Sequence, residues 1–88
     1  MNTPHTSSTQ HAVNSSLWTF SQAFNVVSQL FKLDQMTGRS ELRSGHVSRT
    51  SGAYTFTACR NVWELRRNDV RLFCGPCRIT ARGVSLGR

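Results

Sequence analysis

The chain has 88 residues, which limits it to one domain with a modest core. Eleven Lys and Arg stand against four Asp and Glu, for a net charge of +7, and ten of those eleven are Arg, with Lys32 the exception. That balance points to a polyanionic partner, the 38% hydrophobic content excludes a wholly disordered chain, and no run reaches the ~18 apolar residues of a membrane span.

Charge is unevenly placed. Residues 1–31 hold no Asp, Glu, Lys or Arg, so residues 32–88 form the working surface. Arginine presents a planar fork of donors that fits phosphates and guanine edges. Residues 1–14 are Ser, Thr, Asn and Gln with Pro4, His5 and His11, a composition expected of a disordered polar arm. They show neither the apolar stretch of a secretory signal nor the arginines of a transit peptide. An intracellular protein (cytoplasm or nucleoid) with reduced cysteines is expected, folded as one domain over residues 15–88.

The first predicted helix covers residues 16–33, capped by Ser15 or Ser16. Leu17, Phe20, Phe24, Val27 and Phe31 recur at helical spacing. With Trp18, Ala23, Val26 and Leu30 the apolar side exceeds half the circumference, enough for a core and a second surface. Leu17, Trp18, Phe20 and Phe24 are the candidate homodimer face. A second, short helix is predicted over residues 38–44, with Thr37 as cap and Gly45 as its stop. Residues 45–54 read as a turn region, with Gly52 suited to a left-handed backbone. A third helix is predicted from Thr55 or Thr57 to Arg67, because Ala58, Val62 and Leu65 fall at +4 and +3 spacing. Its outward stripe is Thr57, Arg60, Asn61, Glu64, Arg67 and Asn68. Residues 70–82 alternate as a β-hairpin with Gly75-Pro76 at its tip, placing Cys77, Ile79 and Ala81 inward and Arg78, Thr80 and Arg82 outward.

Three helices followed by a basic hairpin is an α+β layout, that of a winged helix-turn-helix domain. In it a helix enters the major groove and the hairpin lies along phosphates. On that reading Thr57, Arg60, Asn61, Glu64 and Arg67 contact bases, and Arg39, Arg43, Arg49, Arg71, Arg78 and Arg82 contact phosphates. The run from Arg60 to Arg67 (RNVWELRR), followed by Val70-Arg71-Leu72, resembles the end of the recognition helix in small winged helix-turn-helix proteins of phages and mobile elements. The likeness covers about residues 47–83 and departs from the pattern at Asn61 and Asp69. It implies a small DNA-binding transcriptional regulator or accessory factor of a mobile element.

Cys74-Gly75-Pro76-Cys77 matches the thioredoxin tetrapeptide, but only 11 residues follow Cys77, too few for that fold. Cys59, Cys74, Cys77 and His46 are the weaker alternative of a zinc site, lacking a second ligand pair at zinc spacing. Cys74 and Cys77 are expected to flank the hairpin turn and face each other. No metal or cofactor is expected. No carboxylate pair, metalloprotease motif or phosphate-binding glycine loop supports catalysis, so no enzyme is expected. The alternative function is a small protein-interaction module or inhibitor, or a zinc-stabilised binding protein.

Overall fold

The computed structural model describes residues 16–88, and the polar arm expected over residues 1–14 lies outside them. A helical segment and two short helices precede five strands, which pair in sequence order as an antiparallel meander. The strands are β1 (His46–Ser51), β2 (Tyr54–Cys59), β3 (Val62–Arg67), β4 (Val70–Thr80) and β5 (Gly83–Leu86). The winged helix-turn-helix expectation is thereby overturned: the third helix, the recognition helix, is instead the β2–β3 hairpin.

The reason is a competition between two periods. Ala58, Val62 and Leu65 do fall at helical spacing, yet Val62 is 50% exposed. The buried positions are Phe56 and Ala58, then Trp63 and Leu65, a period of two on each side of a two-residue loop. Tyr54, Thr55, Phe56, Thr57, Val62 and Trp63 are also strand formers by shape. Every hairpin in the meander closes with two residues, at 52–53, 60–61, 68–69 and 81–82. In the first three, the leading loop residue has positive φ: 61° at Gly52, 60° at Arg60 and 55° at Asn68. Such backbone matches the twist of the flanking strands.

The second correction concerns residues 70–82. They do not turn at Gly75-Pro76; residues 70–80 form one strand, and the loop lies at Ala81-Arg82. The first half of β4 pairs with β3 and the second half with β5, so the sheet curls along this strand. Leu65 faces Phe73 but Arg66 faces Arg71, which leaves Leu72 as an extra residue. That bulge turns both Leu72 and Phe73 inward, where strict alternation predicted opposite faces. The chain before the first helix covers the other edge of this half-strand. Trp18 N–H donates to Leu72 O at 3.0 Å, and Cys74 N–H donates to Ser16 Oγ at 3.3 Å.

Gly75 owes its place to packing rather than to a turn. It stands opposite Trp63 in the ladder, and Trp63 is fully buried with its Nε1–H donating to Gly87 O at 2.8 Å. A Cβ on residue 75 would lie 2.8 Å from both Gly87 O and Phe73 Cε2, so the indole and the C-terminal main chain need glycine there.

The concave side of the sheet is closed by α1 (Phe20–Val26), which continues as a π-helical turn over Val27–Phe31. Thr19 starts it with a capping box: Gln22 N–H donates to Thr19 Oγ1 at 3.2 Å and Thr19 N–H to Gln22 Oε1 at 2.9 Å. The stripe that is buried is Ala23, Val27 and Phe31, against Val47, Phe56, Trp63 and Phe73 among others. Small Ala23 lets the helix sit close to the sheet. The predicted stripe is therefore rotated, since Leu17 precedes the helix and Phe24 is 42% exposed. Two members of the candidate dimer face also pack inward. Trp18 lies 6.2 Å from Tyr54, and Phe20 meets the edges of Trp63 and Phe73 at 6.2 and 5.9 Å. Left-handed Lys32 ends the π turn and leads into α2 (Leu33–Met36) and α3 (Arg39–Ser44). Helix α3 stops at Gly45, whose φ is 73°, as its sequence suggests, but its N-cap is Gly38 rather than Thr37. No helix among the described residues is long and apolar enough to cross a membrane.

Candidate nucleic-acid interface

Helix α3 touches both β1 and β4, and so brings its arginines to the end of the sheet where β4 curls away. Three further contacts assemble that end. The β2–β3 loop is held by Arg60 N–H donating to Gly45 O at 3.1 Å and by Cys77 N–H donating to Asn61 O at 2.8 Å. Arg82 lines one small recess with Leu42 of α3. Arg39, Arg43, Arg60, Arg78 and Arg82 thus belong to one region. All five are exposed, and none forms an ion pair among the described residues. His46, which opens β1 beside Gly45, adds an exposed imidazole.

Arg49 has a different task. Its Nη1 and Nη2 donate to Glu41 Oε2 and Oε1 at 2.6 and 2.7 Å, and Nη2 also donates to Met36 O at 2.7 Å. This bidentate fork clamps α3 to β1 and so fixes the helix that presents Arg39 and Arg43. These hydrogen bonds from Arg49, with one from Gly38 N–H, hold the Glu41 carboxyl down at about 2, below its ordinary 4.5. A folded-state value below the unfolded one means that the clamp contributes fully above about pH 4.5 and is lost as pH falls toward 2. The Tm gap between wild type and Glu41→Gln is accordingly expected to be constant above about pH 5 and to close between there and about pH 2. A gap that survives at the acid end in thermal melts would show that the carboxylate is not what holds α3.

The remaining predicted contacts are dispersed by the β fold. Thr57 and Glu64 are cross-strand partners on the convex face, while Arg60 and Asn61 form the loop at one end of β3 and Arg67 closes the other. Arg60 and Arg67 are separated by the length of that strand, roughly 17 Å at the usual rise, so no single stripe of base-reading residues exists. Glu64 is committed to Arg71 Nε at 2.7 Å and to Arg66 Nη1 at 3.4 Å. Arg71 therefore falls out of the phosphate set, as Arg49 does. Arg67 lies over the Tyr54 ring at 5.7 Å. Sequence reasoning placed Arg60 as a base reader; the structure sets its main chain against Gly45 at the end of α3 and against Cys77, the residue before Arg78. The signal for that was the rarity of arginine at positive φ, legible only once the hairpin is known.

Cys74 and Cys77 do not converge. Cys74 and Cys77 lie three residues apart on one strand and so face opposite sides, Cys77 buried inward and Cys74 half-buried outward. The expected face-to-face pair across a turn does not exist, and a bridge between them is geometrically excluded. Burial, and then neighbouring Cys59, push the Cys77 thiol above its ordinary range, the opposite of what a redox nucleophile needs. His46 and Cys59 are cross-strand partners, but no group of three or more His, Cys, Asp or Glu comes together among the described residues. No protein-family model matches the chain, and neither a curated protein nor a solved structure matches it.

Proposed function

We propose that this protein binds nucleic acid through the phosphate backbone, using the arginine-rich end built by α3, the β2–β3 loop and the second half of β4. The observation that carries the proposal is the segregation of charge. Glu41 and Glu64 are engaged by Arg49, Arg66 and Arg71, and Asp34, which lines the Arg82 recess, forms no ion pair, leaving five exposed guanidinium groups at one end without a carboxylate partner among the described residues. Arg60 supports the same reading. Holding a non-glycine residue at φ 60° costs about 1 kcal/mol, and that cost is sensible where the side chain has a surface task. With no helix among the described residues shaped to enter the major groove, binding is read as positioning on phosphates rather than sequence readout.

Titration of the full chain against a random-sequence DNA duplex over a range of salt tests this. Four to five neutralised phosphates give a slope of log K against log salt of roughly −4, since each contact contributes about −0.9. A slope near zero, or no binding at micromolar protein and low salt, would remove the proposal.

A further inference from the structure

Strand β5 is the last of the sheet and pairs on one side only. Gly87 N–H donates to Pro76 O at 2.8 Å, and antiparallel alternation from that pair turns the main chain of Ser85 and Gly83 toward β4. The N–H and C=O groups of Val84 and Leu86 therefore point outward, and no strand among the described residues pairs with them. Beside this edge runs a groove of about 450 Å³, bounded by Val84 and Leu86 on the strand and by Phe24, Val27 and Leu33 on the helical side. A row of free main-chain donors and acceptors next to an apolar trough is what strand addition requires. Backbone bonds supply affinity, and the trough takes alternate side chains of the incoming chain.

Charge selects the occupant. Alternation puts Arg82, Val84, Leu86 and Arg88 on the helix-facing side. Arg82 lines a recess with Leu33, Asp34 and Val84, and the Arg88 guanidinium lies 5.2 Å from the Phe20 ring centre. Lys32 and Asp34 both line the groove and offset each other, so the two arginines set its net charge. A second copy docking antiparallel about Ser85 would set Val84 across from Leu86, but it would also set Arg82 across from Arg88, twice. Like charges directly opposite each other disfavour pairing, and a net charge of +7 on each copy adds to the repulsion. The same two arginines, one at each end of the edge, would attract carboxylates.

We infer that the β5 edge is a docking site for an extended segment of another protein, with two alternating apolar side chains bracketed by Asp or Glu. This site stands independently of the nucleic-acid reading, although Arg82 lies where the two surfaces meet. The probe is a peptide of alternating valine and threonine with an aspartate at each end, titrated into the full chain by calorimetry. Two companions are used: one N-methylated at the amides that would face Val84 and Leu86, and one with lysine at both ends. Each companion is expected to bind about tenfold or more weakly, the first through lost backbone bonds and the second through repulsion. The double substitution Arg82→Glu with Arg88→Glu is expected to reverse the preference between aspartate and lysine ends. Equal binding of the three peptides, or binding of none, would overturn the inference. So would sedimentation showing that the peptide-free protein dimerises and that Ser85→Pro abolishes the dimer, since the edge would then belong to a second copy.

Discussion

Trp63→Ala is expected to lower stability by about 4 kcal/mol, within the range for deleting a large aromatic from a packed interior. The indole is fully buried and touches aromatic neighbours on three sides, with Phe73 at 5.0 Å, Phe56 at 6.0 Å and Phe20 at 6.2 Å between ring centres. Its Nε1–H also satisfies Gly87 O, which ties the last residues to the core. A domain of this size has a total stability on the order of 4–13 kcal/mol, so the loss takes a third or more of it. Two milder variants separate packing from hydrogen bonding. Trp63→Phe keeps most of the bulk and leaves Gly87 O without its donor, for a loss of about 1–2 kcal/mol. Gly75→Ala forces a methyl into 2.8 Å contacts, for about 1–3 kcal/mol. Urea unfolding followed by circular dichroism reads all three. A Trp63→Ala midpoint close to wild type would mean that the curled sheet does not close around this residue.

The second large effect is on binding. Replacing Arg39, Arg60 and Arg78 together by alanine removes three phosphate contacts and flattens the salt slope by roughly 2.7. Carried to 0.15 M salt, that difference is on the order of a hundredfold in affinity for duplex DNA. All three side chains are exposed and unpaired among the described residues, so stability is expected to change by no more than about 0.5 kcal/mol per site. The matched control replaces Arg66, Arg67 and Arg71 at the other end of β3. Two of these already share Glu64, and the expected loss there is under about threefold. Equal losses in the two variants would mean that the attraction is spread over the whole molecule and that no end is specialised.

Local chemistry announced several features. Gly45 ends α3 and Gly52 opens a hairpin, each at positive φ, because no other residue adopts that backbone as cheaply. The inward placement of Cys77 and Ile79 and the outward placement of Arg78 were legible from alternation alone. Two short-range signals misled. Phe56, Ala58, Trp63 and Leu65 form a period-two pattern, but the loop between them is Arg60-Asn61, with no glycine to mark it. A helical spacing of Ala58, Val62 and Leu65 could then pass through the loop unnoticed. Gly75-Pro76 reads as a turn by composition. The reason for its glycine is an indole that meets it from the neighbouring strand, a contact invisible until β3 and β4 are paired. The candidate site suffered in the same way. Arginine content showed that a basic surface exists, whereas which arginines share it depends on the course of β4 and on the Arg49 clamp.

Backbone amide shifts recorded while duplex DNA is added to the full chain at low salt put the basic end to its most direct trial. Movement concentrated in Arg39–Gly45, Arg60–Asn61 and Arg78–Arg82 is the expected outcome. Movement centred instead on Arg66–Arg71, or none anywhere at saturating DNA, would contradict it.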